Sequence, residues 1–458
     1  MTRARPTSSA SPSSSLTGTW TRPRGEPMTT RSERLRDLWR SIEQAGGAEK
    51  YIQAQLRERG FVVERKPTDK MGKAELARYK QQLKAEAAER KRLAKEAWEA
   101  RREHRVIHLG EGVFWNDQTD FDRWDLEGAE ERAAENELPQ LDNPAQLAEA
   151  LGVTIPQLRW LAFHRDAATH VHYYRFTIPK RTGGERAIWA PHRRLKGAQR
   201  WILRNIVERL PVHGAAHGFL PGRSIASNAA HHTDAAAVVK IDLKDFFPTV
   251  TLPRVKGVFR KAGYREQIAT LLALLCTEAP REVVEQDGKT YYLSLGPRCL
   301  PQGAPTSPGL TNTLCMRLDR RLLGLSRKLG WRYTRYADDL TFSLPKTHQG
   351  PPKLGALLST VARIAADEGF TVHPEKTRIA KRGARQRVTG LVVNDAHGPR
   401  VPRTLRRRVR AMIHNLARGK PLREGETLGQ LAGQIAFIHM TDPALGKRLA
   451  AQLSAIDG

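Results

Sequence analysis

The stretch Thr334-Arg335-Tyr336-Ala337-Asp338-Asp339-Leu340-Thr341-Phe342-Ser343 sets two aspartates side by side between apolar runs. Arg332–Leu344 therefore reads as strand, turn, strand. Consecutive aspartates make poor core residues, and like charges at a sheet edge repel unless a cation sits there. A second acidic group lies upstream, in Lys240-Ile241-Asp242-Leu243-Lys244-Asp245-Phe246-Phe247, at the end of the apolar strand Val238–Leu243. Carboxylate oxygens suit Mg²⁺, which keeps positions open for phosphates and water. A strand-end aspartate beside an Asp-Asp turn would cage two such ions about 3.5–4 Å apart, a spacing that serves in-line phosphoryl transfer. An Asp-Asp pair alone also makes an ordinary turn. The surrounding sequence decides between these readings.

The charge balance points the same way. The 458 residues carry 77 Lys and Arg against 48 Asp and Glu, a formal charge of +29. Such a chain is built for a polyanion, most often nucleic acid. The bland alternative is a basic surface from GC-rich codons, with Arg in place of Lys. A hydrophobic fraction of 40% supports a real core, and the length suggests about three lobes. Three cysteines, Cys276, Cys299 and Cys315, rule out a disulfide scaffold and offer no Cys-x-x-Cys zinc site. They fit a reducing compartment, so the expected location is cytoplasmic. No apolar run approaches the roughly 18 residues of a membrane span. The Ser/Thr/Arg-rich start lacks the apolar stretch of a secretory signal.

Along the chain, residues 1–30 read as a disordered tail, with Met28 as an alternative start. Residues 31–137 read as a largely helical extension. It opens with a short helix around Leu35, Leu38, Trp39 and Ile42. A long amphipathic helix follows over Gly72–Arg105, on the stripe Leu76, Tyr79, Leu83, Ala87, Leu93, Ala97 and Trp98. An aromatic, acidic stretch (Phe114, Trp115, Phe121, Trp124) suggests no chemistry. From Leu138 the text becomes globular. Asn143–Leu151 and Pro156–Phe163 read as helices. Tyr173–Pro179 and Arg186–Ala190 read as a hairpin around Thr182-Gly183-Gly184. Leu195–Leu210 reads as a basic amphipathic helix. Phe370–Ile379 and Gln386–Asn394 read as strands, and Arg403–Arg418 and Leu428–Met440 as helices. Mixing without regular alternation indicates an α+β fold.

Three boxes now stand in order: Asp242–Phe247, Leu300-Pro301-Gln302-Gly303-Ala304-Pro305-Thr306-Ser307-Pro308, and Tyr336-Ala337-Asp338-Asp339. In order and spacing they resemble the catalytic boxes of reverse transcriptases. Asn228-Ala229-Ala230-His231-His232, after Gly218–Ile225, resembles the Asn-Ala-x-x-His box of the retron enzymes, and Val388-Thr389-Gly390 resembles their downstream box. The resemblance runs from about Leu138 onward and leaves residues 1–137 uncovered. It implies a right-hand polymerase with fingers (138–237), palm (238–395) and thumb (396–458). The short stretch after Gly390 leaves no room for a maturase or RNase H domain.

By this resemblance Asp242, Asp338 and Asp339 hold two Mg²⁺ ions, with Mn²⁺ able to substitute, and the carbonyl of Leu243 completes one shell. Phe247 would lie under the sugar of the incoming nucleotide and exclude a 2′-hydroxyl. Gln302 would contact that nucleotide. Lys180 and Arg186, flanking a Gly-Gly turn, would neutralise its triphosphate. Lys376 is a candidate general acid for the pyrophosphate leaving group. Asn228 and His232, four residues apart on one helical face, would contact a cognate RNA, with Val388, Thr389 and Gly390. Arg403, Arg406, Arg407 and Arg410 would track its phosphates.

The resemblance implies an RNA-directed DNA polymerase that uses a structured non-coding RNA as template and primer. Synthesis would start from a 2′-hydroxyl and yield branched msDNA, in antiphage defence. The implied partners are that RNA, its msDNA product, dNTPs, a host RNase H and a separate effector protein, with no membrane. The rival readings are another bacterial reverse transcriptase class, intron-encoded or abortive-infection, and a non-catalytic RNA-binding protein on a polymerase fold.

Overall fold

The computed structural model describes residues 39–58, 68, 71–104, 109–110, 113, 128–179, 183–286 and 288–457. The tail 1–30, the aromatic residues Phe114, Trp115, Phe121 and Trp124, and Lys180 lie outside the described residues. The chain divides into two compact units, 1–89 and 90–458. In the first, a helix over 39–44 and α1 (Ala48–Glu58) flank Gly46 and Gly47. Both glycines have positive φ, 76° and 118°, which glycine adopts without steric cost. The long helix α2 (Lys73–His104) begins in this unit. Its Leu76, Tyr79 and Leu83 are half-buried between exposed neighbours, the start of the expected amphipathic stripe, but Ala87 and Leu93 of that stripe are exposed.

The second unit takes in the end of α2 and continues with α3 (Ala129–Glu135), α4 (Pro144–Ala150) and α5 (Ile155–Ala162). Asn143 caps α4, accepting from Gln146 N at 3.0 Å, and Thr154 with Gln157 closes a capping box on α5. Strands β1 (Ala167–Ala168), β2 (Tyr173–Pro179) and β3 (Glu185–Pro191) follow; β2 and β3 form the expected hairpin, from Tyr173↔Pro191 to Pro179↔Glu185. Helix α6 (Arg193–Asn205) buries Leu195, Ala198 and Ile202. It ends five residues before Leu210, where Val207–Arg209 continues as a 3₁₀ turn.

Next come α7 (Ile225–Ala230), β4 (Ala235–Lys244), α8 (Leu252–Lys261), α9 (Glu266–Cys276), the hairpin β5 (Arg281–Gln286) and β6 (Lys289–Ser294), and α10 (Ser307–Leu314) and α11 (Met316–Leu329). They lead to β7 (Arg332–Tyr336), β8 (Asp339–Pro345), α12 (Leu354–Asp367) and β9 (Thr371–Lys381). Four of these strands make one antiparallel sheet in the order β7-β8-β4-β9. Val239, Ile241 and Leu243 of β4, Leu340 and Phe342 of β8, and Tyr333 of β7 join the main core with residues of α9, α11 and α12. Each such side chain contributes about 1.5–3 kcal/mol of burial.

A second core gathers Ala229, Val238, Val388, Leu391, Val409, Ile413, Leu431, Ile435 and Leu449. It joins α7 and the start of β4 to β10 (Arg387–Val388), β11 (Leu391–Val392), α13 (Arg403–Ala417), α14 (Leu428–His439) and α15 (Pro443–Asp457). The strands expected over Gln386–Asn394 are thus a two-rung ladder. Cys276, Cys299 and Cys315 are buried free thiols, pushed up by burial to about 12, 11 and 12. Among the described residues no helix is long and apolar enough to cross a membrane.

Candidate active site

The β7–β8 turn is as short as an antiparallel hairpin allows. Tyr336 pairs with Asp339, so Ala337 and Asp338 make the whole turn. Ala337 takes φ +54°, a left-handed conformation that costs a residue with a Cβ roughly 1–2 kcal/mol. On the other side of β8, Asp339 stands directly opposite Asp242 of β4, and Leu243 N donates to Asp338 O at 3.1 Å. Two adjacent strands therefore bring three carboxylates to one end of the sheet.

Like charges directly opposite one another destabilise a sheet. Here lysines offset two of them. Lys376 Nζ lies 2.9 Å from Asp242 Oδ2, and Lys240 Nζ lies 3.4 Å from Asp339 Oδ2. Burial, and then the charges of Asp242 and Asp339, push the Asp338 carboxyl up to about 6. Lys376 reaches the site through an irregularity in β9. Lys240 pairs with Arg378 and Asp242 with His373, so residues 374–377 face only Ile241. Pro374 cannot donate to a ladder, which suits it to such a bulge.

The other nucleotide-side candidates lie on neighbouring elements. Phe247 is half-buried beside Phe246, ring centroids 5.5 Å apart. Trp189 N of β3 donates to Gln302 O at 2.7 Å. A Cβ at Gly303 would come within 2.7 Å of Trp189 O, so only glycine permits this close approach. The Pro-Gln-Gly turn is thereby strapped to the β2–β3 hairpin, on which Arg186 is exposed opposite Ile178.

Among the described residues no three His, Cys, Asp or Glu side chains stand close enough to hold a metal ion as they are. Asp242 and Asp339 are each engaged by a lysine instead. The donor set still fits a hard divalent cation. It is all carboxylate, its members repel one another, and Asp338 is pushed up first by burial and then by that repulsion.

The reverse transcriptase (RNA-dependent DNA polymerase) family profile matches residues 178–394. The Retron Mx162 reverse transcriptase of Myxococcus xanthus is 53% identical over 91% of this chain and 88% of its own. The Retron Mx65 reverse transcriptase of the same organism is 45% identical over 71% of this chain and 74% of its own. The Retron Ec86 reverse transcriptase of Escherichia coli is 33% identical over 70% of this chain and 91% of its own. The chain belongs to the retron reverse transcriptases. It is an RNA-directed DNA polymerase of right-hand, α+β fold, and enzymes with such a domain generally work with divalent metal ions on an RNA partner. A match over 91% of the chain does not fit within residues 138–458, so the similarity to the Mx162 enzyme reaches into the helical extension. That corrects the expectation that the extension stands outside the resemblance.

The two boxes that resemble retron enzymes in particular need a second correction. Asn228 and His232 do not face outward in this retron reverse transcriptase; both are 0% exposed. Thr334 Oγ1 donates to Asn228 Oδ1 at 2.6 Å and accepts from His232 Nε2 at 2.7 Å. Ser343 Oγ then donates to His232 Nδ1 at 2.7 Å. Burial holds His232 neutral, lowered to about 3. Val388 is also fully buried, and Thr389 Oγ1 donates to Ile225 O at 3.0 Å. Only Gly390 of that box is exposed. The Asn-Ala-x-x-His and Val-Thr-Gly boxes are one packed unit joining α7, the sheet and the C-terminal helices. Buried side chains with internal partners cannot offer those groups to RNA.

On α13, Arg403, Arg407 and Arg410 are exposed along one face, while Val409, Met412 and Ile413 fill the second core. Arg406 is half-buried, with its Nε shut away from solvent. Sequence reading also missed Arg335, Asp319 and Asn312, all buried behind the Asp-Asp turn. Arg335 alternates with the core residue Tyr333, and Asp319 lies on the buried stripe of α11 with Leu322 and Ser326. A charge in phase with core residues must be paired, which is the signal that was there to find.

Proposed function

We propose that this retron reverse transcriptase copies a cognate structured non-coding RNA that serves as both template and primer. Synthesis begins at the 2′-hydroxyl of an internal guanosine and leaves branched msDNA. Membership among enzymes named for retrons supports this reading. The observation that carries its chemistry is the register of Asp242 opposite Asp339, with Asp338 in the adjoining turn.

Asp242, Asp338 and Asp339, with the Leu243 carbonyl, are the residues that hold Mg²⁺, for which Mn²⁺ substitutes. Bound there, the ions supply Lewis-acid charge at the attacking hydroxyl and the triphosphate. The remaining work falls to the protein. Arg186 and Lys180 neutralise the triphosphate, and Gln302 positions the nucleotide. The Phe247 ring leaves no space for a ribose 2′-hydroxyl. Lys376, close enough to reach Asp242, gives a proton to the departing pyrophosphate, while Lys240 remains beside Asp339. Arg403, Arg407 and Arg410 track the RNA phosphates, with Arg406 at their flank.

The lobes are fingers over 138–237, palm over 238–395 and thumb over 396–458. The enzyme works in the cytoplasm, where its three buried thiols stay reduced, with host RNase H removing template. The msDNA serves phage defence through a separate effector. Primer extension on RNA co-purified with the protein tests the centre of this reading. Asp338→Ala and Asp339→Ala should abolish synthesis; activity equal to wild type in both would refute the metal assignment. Sequencing that RNA, and mapping the branch nucleotide in the product, tests the priming.

A further inference from the structure

The Asp-Asp turn is gripped from behind by a buried polar chain that takes no part in the chemistry described above. Asp319, fully buried on α11, accepts from Arg335 Nε at 2.9 Å and Nη2 at 2.8 Å, and from Tyr333 Oη at 2.8 Å. Arg335 is on the helix-packed face of β7, opposite Leu340. Its third nitrogen, Nη1, donates to Asn312 Oδ1 at 3.1 Å and to Ala337 O at 3.3 Å. Asn312 in turn donates from Nδ2 to Gly218 O at 2.8 Å. Gly218 lies so close to the turn that a Cβ there would come within 2.9 Å of Ala337 N. The backbone just before Gly218 is tied in as well. Arg335 N donates to Ala215 O, and His217 N donates to Arg335 O, both at 2.8 Å.

A buried Arg-carboxylate pair is by itself weak grounds for a role in stability, since desolvation offsets much of its attraction. This pair does something a hydrophobic pair could not. The guanidinium is a planar fork with fixed donor directions. Two of its nitrogens are used on Asp319, which leaves Nη1 aimed at the Ala337 carbonyl. That carbonyl belongs to the peptide group whose other end is the Asp338 N–H. Peptide groups are planar, so holding the oxygen fixes the direction of the nitrogen and the exit of the Asp338 side chain. Ala337 needs such a hold, because its left-handed φ of +54° persists only where surroundings over-determine it.

We propose that Asp319, Arg335 and Asn312 are positioning residues. Together with Gly218 they lock the Ala337–Asp338 peptide in its left-handed turn, and so aim the Asp338 carboxylate at the divalent cation. The inference rests on the metal reading above and deepens it. None of the three residues touches substrate.

The test compares wild type with Asn312→Ala, which removes one neutral link and leaves the Asp319–Arg335 pair in place, and with Arg335→Lys, which keeps the charge but loses the fork. Four quantities are measured on the full chain: kcat and KM for a deoxynucleotide in primer extension, Mn²⁺ affinity by electron paramagnetic resonance, and the melting temperature. Asn312→Ala should lower kcat about tenfold with KM within twofold of wild type, and weaken Mn²⁺ binding by a similar factor. Adding Ala337→Gly should recover part of kcat, because glycine holds a positive φ unaided. Two results overturn the proposal: unchanged kcat and Mn²⁺ binding in Asn312→Ala, or a kcat loss that matches the unfolded fraction while folded protein binds Mn²⁺ normally. Arg335→Lys covers the case in which Asn312→Ala does not fold; Mn²⁺ affinity equal to wild type in that variant overturns the proposal too. Asp338→Ala is the control on the underlying reading. If it binds Mn²⁺ as wild type does, the metal assignment fails, separately from the positioning role.

Discussion

Strand β8 carries two polar clusters on the same face of the same sheet, four residues apart, and they have opposite characters. At Asp339 the neighbours are Asp242 and Asp338, charged and mutually repelling, with lysines reaching in from Lys240 and Lys376. At Ser343 the neighbours are His232, Thr334 and Asn228, neutral, buried and joined by hydrogen bonds of 2.6–2.7 Å. The first cluster keeps opposed carboxylates, two of them offset by lysines. The second has spent most of its hydrogen-bonding capacity internally. Polar residues in a family box thus fall into two kinds, those that hold like charges together at the end of a sheet and those that close a joint.

The largest effect should come from the open end. Asp242→Asn removes a charge but little volume. It should cut primer extension on the order of 10³-fold, with the melting temperature in metal-free buffer unchanged or higher, because one of two opposed charges is gone. A lower melting temperature would show that this end is structural like the other. Phe247→Ala, on the nucleotide side, should weaken discrimination against ribonucleotides by about 10–100-fold, read as the ratio of kcat/KM for the two sugars.

At the closed end the outcome should reverse. His232→Phe leaves the Ser343 hydroxyl without its His232 partner and Thr334 with Asn228 alone, and should cost about 1–3 kcal/mol in denaturant unfolding, with RNA affinity at low temperature unchanged. Lost RNA affinity at full stability would return His232 to the RNA surface. The pH dependence of unfolding separates the clusters further. His232, His217 and His164 are lowered by burial to about 3, 4 and 4. The unfolded chain therefore binds protons below about 6.5 that the folded protein refuses, so these residues make stability fall as pH drops from 6.5 towards 4. Asp338, raised to about 6, acts in the opposite sense: its contribution is present below about 4 and lost as pH rises through 6. Asp338→Asn should steepen the rise of stability between pH 4 and 6, and a slope equal to wild type would break the contrast. The smallest effect belongs to the solvent-facing helix α13. Arg407→Ala should weaken RNA binding a few-fold and reduce the salt slope by about 0.7–0.9.

Much of the site was legible because its signals are local. Asp242, the Asp338-Asp339 turn and the hairpin around Gly183-Gly184 follow from short patterns, and the register then brings Asp242 to Asp339. Helix α13 was legible because it has a polar face. Helix α9 was not. Ten of its residues, Glu266 and 268 to 276, are buried, so no amphipathic period exists to read. The β5–β6 hairpin alternates too weakly, with a single buried position, Arg281. Asn228 and His232 were misread for another reason. Four-residue spacing tells which residues share a helical face, but not whether that face meets water or a sheet. Arg335 and Asp319 are distant in the chain, and only the packing of α11 on β7 makes them a pair.

The bulge at Pro374–Thr377 reaches beyond Lys376. Strand β9 is an outer strand of the sheet, the kind of border on which a second chain could add itself and start an aggregate. A proline and a four-residue detour interrupt that border partway along, and Lys376, Arg378 and Lys381 stud it with positive charge. The same detour that carries a lysine to Asp242 therefore also denies other polypeptides a straight seam to bind.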